Sequence, residues 1–375
     1  MDKQRHCIIR VDASTWIGTG HFYRCLNLAI GFMKCGYKVT FLCRYIPSVL
    51  VSILAKHKIE MIELVHKNDL TNGEENIQCP HGKWLHLSYQ SEILESTEVI
   101  KNYLANNKLD QLDVILIDHY AIEQQWQNKI KCYSRLLVQI DDLADRCHAT
   151  NLLVDQNFFR NLSSRYENLV DKSVDLLLGP SYALLNHKFA LLKENLQHYS
   201  DRYENGWIVV FFGGVDYTNE TEKAIDGLLS CIDSRITLDV ILGGTNPHQQ
   251  RLKNKYYKNE NVHINVQVDN MAERLARSFL FVGAIGSTTW ERCTLAVPAI
   301  VVSVAENQND LASSLQDYRS HLFIGQMNKV TEQDYAQAYN NLSFSELQIM
   351  SDISANLTDG LGVERVINKV EEYLK

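Results

Sequence analysis

Four residues near the start of the chain, Gly18, Gly20, His21 and Arg24, have the types and spacing that can do chemistry. They lie in Arg10-Val-Asp-Ala-Ser-Thr-Trp-Ile-Gly-Thr-Gly-His-Phe-Tyr-Arg24, between an apolar run, Cys7-Ile8-Ile9, and a helix-like run, Cys25-Leu26-Asn27-Leu28-Ala29. The order is strand, Gly-rich turn, helix. Gly18 and Gly20 carry no Cβ, so the backbone can turn tightly and approach a ligand. His21 then opens a helix, where unpaired N–H groups and the helix dipole favour an anion and disfavour a charged imidazole. A neutral imidazole held beside a phosphorylated substrate suits a general base. The alternative is a structural turn with a capping histidine.

Two further constellations lie in the second half. In Gly283-Ala-Ile-Gly-Ser-Thr-Thr-Trp-Glu-Arg292 an apolar run ends in a Gly-containing turn, and Ser287, Thr288 and Thr289 open a helix with hydroxyls. This is a second anion-binding geometry. Glu291, one turn on, could accept both hydroxyls of a ribose; a capping box between the hydroxyls and Glu291 is the structural alternative. Ala305-Glu-Asn-Gln308 places the carboxamides of Asn307 and Gln308 after an apolar run, at the strand end where ligands sit in parallel sheets. Gly213-Gly214 and Gly243-Gly244 also follow apolar runs, as phosphate cradles or as tight turns.

The elements that must position these residues alternate between strand-like and helix-like along most of the chain. Strands are expected at Cys7–Val11, Lys38–Cys43, Ile59–Leu64, Asp113–Asp118 and Leu136–Asp141, with two short ones at Leu152–Val154 and Leu176–Leu178. The runs at 113–118 and 136–141 are nearly continuous in apolar residues and end in acids, as suits parallel strands buried on both faces. Residues 66–90 lack periodicity and read as irregular. After a polar stretch at 198–206 the pattern restarts, with strands at Trp207–Phe212, Leu238–Leu242, His263–Val268, Leu280–Val282 and Ala299–Val304. A helix over Thr218–Ser230 is expected to be capped by Asn219 or Thr218, and a helical tail runs to Lys375. The expectation is an α/β protein of two Rossmann-like, doubly wound domains, residues 1–195 and 205–375, with a cleft between them.

Composition sets limits. A length of 375 residues exceeds one ordinary core, and 45% hydrophobic with 22% charged residues is usual for a globular protein. A net charge of −8 argues against a nucleic-acid surface. No apolar run approaches the roughly 20 residues of a membrane span, and the polar start leads directly into a strand. Nine cysteines without C-x-x-C pairing fit a cytoplasmic chain. The thirteen histidines form no metal-ligand pattern, so neither a metal nor another cofactor is expected. A monomer is expected.

Taken together, the motifs are more specific than each alone. RVDASTWIGTGHFYR (10–24), LIDHY (116–120), IDDLADR (140–146), LVDQN (153–157), LGPSYALL (178–185), FGGVD (212–216), LGGTNPH (242–248), GAIGSTTWERC (283–293) and AENQ (305–308) occur in order over nearly the whole chain. This series resembles the UDP-sugar hydrolases of pseudaminic acid biosynthesis, which act on UDP-2,4-diacetamido-2,4,6-trideoxy-β-L-altropyranose and are similar in fold to GT-B glycosyltransferases. Ser181, Asn186-His187 and Val215 depart from that pattern, at positions bearing on the sugar. The resemblance implies UDP bound mainly by the second domain, around Ile285, Glu291 and Asn307. It implies the sugar under the first Gly-rich turn beside Gly20, and His21 as the base that activates water. Gly18, Arg24, Gly213, Gly214, Ser287, Thr288 and Gln308 complete the expected substrate contacts. A GT-B glycosyltransferase needs the same UDP grip with an acceptor alcohol in place of water. A hydrolysing epimerase would need further acids, and a nucleotide-sugar binding protein would need no base.

Overall fold

The computed structural model describes residues 4–14, 16–64, 79, 81–305 and 308–375. The chain divides into two compact units: one holds residues up to Asn157, Asn161–Leu184 and Val363–Lys375, the other Phe158–Arg160 and Leu185–Gly362.

The first unit carries a seven-stranded sheet of β1 (Arg5–Val11), β2 (Tyr37–Cys43), β3 (Glu60–Glu63), β4 (Leu112–Asp118), β5 (Ser134–Ile140), β6 (Leu152–Asp155) and β7 (Asp175–Leu178). The order is β3-β2-β1-β4-β5-β6-β7, and every pairing is parallel. Ile115, Leu116 and Ile117 of β4 are fully buried, as expected when helices cover both faces. The order reverses between β1 and β4. At such a switch point the connections leave toward opposite faces of the sheet, opening a crevice beyond the strand ends.

The second unit repeats the design with six parallel strands: β8 (Trp207–Phe211), β9 (Thr237–Leu242), β10 (Val262–Val266), β11 (Leu280–Ala284), β12 (Ala299–Ser303) and β13 (Leu322–Gln326). Their order is β10-β9-β8-β11-β12-β13, with the reversal between β8 and β11. Gly283 is required where these two central strands meet, because a Cβ there would collide with the Phe211 carbonyl.

Several expectations are corrected. The helix Gly362–Leu374 joins the first unit, where Val363, Val366, Ile367 and Val370 enter its core beside Phe22, Ala29 and Phe32. Burying side chains of this size is worth about 1.5–3 kcal/mol each, enough to fix the chain's end away from its sequence neighbours. The domains are therefore not the contiguous spans 1–195 and 205–375: the chain changes unit at 184/185 and again at 362/363. The polar stretch near 200 is a helix, Tyr199–Asn205, that buries Tyr199 and Arg202. Strand β13 interrupts the supposed helical tail; it is a five-residue sheet edge, too short and too evenly half-buried for alternation to mark it. The irregular reading of 66–90 falls largely outside the described residues, and its described end forms a 3-10 turn, Gly82–Leu85. Among the described residues no helix is long and apolar enough to cross a membrane.

Candidate functional site

At the switch point of the first unit, β1 leads into the Gly-rich turn and then into the helix Gly20–Lys34. The turn closes on itself through Gly18 N–H to Ser14 O (2.8 Å) and Ile17 N–H to Ser14 Oγ (3.1 Å). Gly18 has φ +84, in the left-handed region, and no atom of the described residues lies within 4 Å of where its Cβ would stand. Gly20 is the exposed first helical residue, and among the described residues no side chain caps this helix. Its first N–H groups therefore remain available to an anion.

His21 is not a capping residue. Its Nδ1 lies 2.6 Å from Asp118 Oδ1, at the end of β4 and 97 residues away in sequence. Arg24, one turn below, forks onto the same carboxylate, with Nε to Oδ2 and Nη2 to Oδ1, both at 2.6 Å. Its Nη1 donates to Asp142 Oδ2 at 2.8 Å. Burial alone would raise the Asp118 carboxyl, but the charge of Arg24, with His21, holds it well below the usual carboxylate range. An ionised Asp118 can only accept. In the neutral imidazole the proton therefore sits on His21 Nδ1, and the lone pair belongs to Nε2. The 3.1 Å approach of Arg24 Nη2 to His21 Nδ1 reflects their common acceptor, since both point at Asp118 Oδ1. The edge of Tyr120 packs on the imidazole with centroids 4.5 Å apart. Burial and then Asp142 push the Tyr120 hydroxyl well above its ordinary value, so it stays protonated. Among the described residues Nε2 has no partner, so a neutral His21 has its ring and tautomer set by Asp118 and one nitrogen left over, the arrangement of an oriented general base. Arg24, expected on the substrate, is buried and spends its guanidinium on two aspartates.

Beneath this site lies a buried ionic network. Arg10 holds Asp12 through two bonds and Glu92 through one, and Arg44 holds Glu92 from the other side. Asp12 also accepts the Arg44 N–H at 2.6 Å and lies 3.2 Å from His119 Nε2. One carboxylate therefore ties the ends of β1 and β2 to the residue following Asp118.

In the second unit the switch point gathers the other expected residues. Gly213 and Gly214 follow β8, and neither has an atom of the described residues within 4 Å of where a Cβ would project. Gly213 has φ +87. After β11, Ile285 is a core side chain whose N–H is taken by Val302 O at 2.9 Å, so only its carbonyl remains for a ligand. Ser287 is exposed and makes no cap bond, and Thr288 is buried at the start of the helix Thr288–Thr294. The capping box does not form; Gly286 N–H reaches Thr289 Oγ1 instead, at 3.3 Å. Burial pushes the Glu291 carboxyl up to about 7, opposed by a hydrogen bond from Thr288, although the residue as a whole is only partly covered. The Gln308 carboxamide closes its own loop, accepting the Val304 N–H at 2.9 Å, and its amide nitrogen faces Gly286. Asn307 lies outside the described residues. Asn219 takes a left-handed conformation and does not cap its helix; Asp216 does so, accepting from Glu220 and Thr221 N–H. Among the described residues no group of three or more His, Cys, Asp or Glu side chains could hold a metal ion.

Sequence reasoning missed Asp118, Asp142 and Asp12 as parts of the site. The available signal was the acid closing each apolar run, placed at the carboxyl ends of parallel strands where ligands bind.

No protein-family profile matches the chain. It is 25% identical over 306 residues to uncharacterized protein MJ1062 of Methanocaldococcus jannaschii, covering 80% of this chain but 56% of that protein. It thus spans little more than half the length of this relative. A UDP-2,4-diacetamido-2,4,6-trideoxy-beta-L-altropyranose hydrolase of Campylobacter jejuni is 21% identical over 220 residues, 59% of this chain and 77% of the hydrolase. An N-acetylglucosamine transferase of Lactococcus lactis that acts on N-acetylmuramyl-(pentapeptide) pyrophosphoryl-undecaprenol is 32% identical over 132 residues, 32% of this chain and 36% of the transferase. Among solved structures, MurG of Acinetobacter baumannii superposes with a TM-score of 0.66 at 14% identity, covering 99% of this chain and 100% of that one. UGT89C1 of Arabidopsis thaliana, solved with UDP, gives 0.65 at 12% identity, covering 98% and 100%. These likenesses establish the architecture: two parallel-sheet α/β units of the GT-B glycosyltransferase type.

Proposed function

We propose that this protein hydrolyses a UDP-linked diacetamido-trideoxyhexose, UDP-2,4-diacetamido-2,4,6-trideoxy-β-L-altropyranose, to the free sugar and UDP. The observation that carries the reading is His21, held by Asp118 with Nε2 uncommitted, at the switch point of the first unit. The alignment with the Campylobacter hydrolase supports the substrate class.

In this reading Nε2 takes a proton from water as the water oxygen bonds to the anomeric carbon. The bond from that carbon to the β-phosphate oxygen breaks, and its electron pair leaves with UDP. Diphosphate is a stabilised leaving anion, so activating water matters more than protonating the leaving group. Asp118 stabilises the imidazolium as it forms. In the second unit the open backbone at Gly213 and Gly214, the turn at Ser287–Thr288 and the Glu291 carboxyl bind UDP, the last through the ribose hydroxyls. One displacement with no covalent sugar–enzyme stage inverts the anomeric centre.

A GT-B glycosyltransferase is the second reading, favoured by the 32% identical segment shared with the Lactococcus transferase. One experiment separates them: incubation with UDP-sugars in water labelled with heavy oxygen, with no acceptor. The hydrolase reading expects stoichiometric UDP and label on the sugar. UDP release only after an acceptor alcohol is added would establish the transferase, and label in UDP would mean attack at phosphorus.

A further inference from the structure

Three aromatic side chains from three separate segments meet beside the Gly-rich turn. Trp16, within the turn, packs edge-on against Tyr45 (5.2 Å between centroids) and His86 (4.9 Å), and Tyr45 lies 5.8 Å from His86. Trp16 keeps 47% of its surface exposed, whereas Trp126 and Trp290 are buried. An exposed indole normally costs apolar hydration, yet this one packs on two rings, of which Tyr45 is anchored by hydrogen bonds. Tyr45 O accepts the Ala13 N–H at 2.8 Å, its hydroxyl donates to Leu85 O at 3.0 Å, and its N–H faces Asp12 Oδ1 at 3.3 Å. His86 sits at φ +51, a left-handed backbone uncommon for a residue with a Cβ. The buried Arg10–Asp12–Arg44–Glu92 network, which no catalytic step uses, braces this corner and, through His119, the Asp118 segment as well.

We propose that Trp16, Tyr45 and His86 form a preorganised wall that recognises the sugar of the UDP-sugar through its apolar face: the ring C–H bonds, a deoxy methyl or an N-acyl methyl. The inference rests on the reading that the site takes a UDP-sugar. Three arguments select a hexose over a flat aromatic or a protein surface. The rings meet edge-to-face, so they present an angled wall to a puckered, C–H-rich ligand and offer no stacking slot. The turn that carries Trp16, closed at Ser14–Gly18, runs directly into the helix that carries His21, so a ligand on the wall would lie next to the base. Trp16 and His86 already pack on the anchored Tyr45 ring, which lowers the ordering cost of binding.

The test is calorimetric titration of the full chain and of its Trp16→Ala and Trp16→Phe variants with two probes, UDP and UDP-N-acetylglucosamine. Trp16→Ala is expected to keep the UDP affinity and to lose about three- to tenfold in affinity for the sugar nucleotide, the scale of one aromatic contact. Trp16→Phe is expected to retain most of it. An exposed side chain is changed, so thermal melting should match wild type. Equal affinities of wild type and Trp16→Ala for UDP-N-acetylglucosamine, or an equal loss for both probes, would overturn the wall. An effect of Trp16→Ala confined to the KM of an acceptor alcohol, or to the oligomeric state, would overturn it too. Failure of wild type to bind UDP at all would instead overturn the underlying functional reading.

Discussion

Replacing Asp118 by Asn is the most informative single change. The carboxylate accepts three N–H bonds, from His21 Nδ1, Arg24 Nε and Arg24 Nη2, all at 2.6 Å. An amide of the same shape has one oxygen. With that oxygen facing His21, the amide NH2 opposes Arg24 Nε, donor against donor. With the amide flipped, NH2 faces His21, the imidazole must give up its Nδ1 proton to accept, and Nε2 is protonated and useless as a base. Either way the negative charge that stabilises the imidazolium is gone. General-base catalysis is worth about 10²–10⁴-fold, and loss of the orienting carboxylate reaches about 10⁴ where the tautomer flips. The expected result is therefore a kcat lowered at least about 100-fold, with KM and UDP affinity within about threefold of wild type, measured by steady-state UDP release and calorimetry. Asn is chosen over Ala because removing one partner of a buried ion pair outright can cost about 3–5 kcal/mol and unfold the unit. The folded Asp118 pKa is depressed, so its ion pairs contribute fully above the usual carboxylate pKa and are lost only on acidification through the lower folded value. Assays at neutral pH thus see the whole effect. A folded Asp118→Asn protein with near-normal kcat would refute the oriented base.

Other outcomes follow from the same geometry. His21→Asn or His21→Ala should cut turnover by about 10²–10⁴-fold with little change in UDP binding, and product NMR on the wild type should show an inverted first-formed anomer. Near-normal turnover in either variant would remove the base. Glu291→Ala and Asn307→Ala should each weaken UDP by about tenfold or more, the scale of roughly 1.5–3 kcal/mol for a hydrogen bond to a charged group; calorimetry showing wild-type affinity in both would reject the nucleotide assignment. Because burial pushes Glu291 up to about 7, its carboxylate predominates only above that pH. UDP affinity should therefore fall on acidification through about neutral pH, and Glu291→Gln should flatten that step. Activity should persist in chelator; loss restored by magnesium or manganese would contradict the metal-free scheme.

The sequence alone determined a good deal. Near-continuous apolar runs at 113–118 and 136–141 and the alternation of strands with helices identify two parallel α/β sheets, because burial on both faces leaves a mark within a few residues. The Gly18–His21 turn was legible for the same reason: a strand, two glycines and a helix start are local features. Only the tertiary structure decided what those residues touch. Strand order, β1 beside β4, carries Asp118 across 97 residues to His21 and makes Arg24 the clamp on that carboxylate. Likewise the last helix belongs to the first unit through Val363, Val366, Ile367 and Val370, and the capping box at Ser287–Glu291 does not form. Periodicity and turn chemistry are written in neighbouring residues. Ion pairing and core docking depend on which distant strand ends and helix faces meet, and that is fixed only when both sheets assemble.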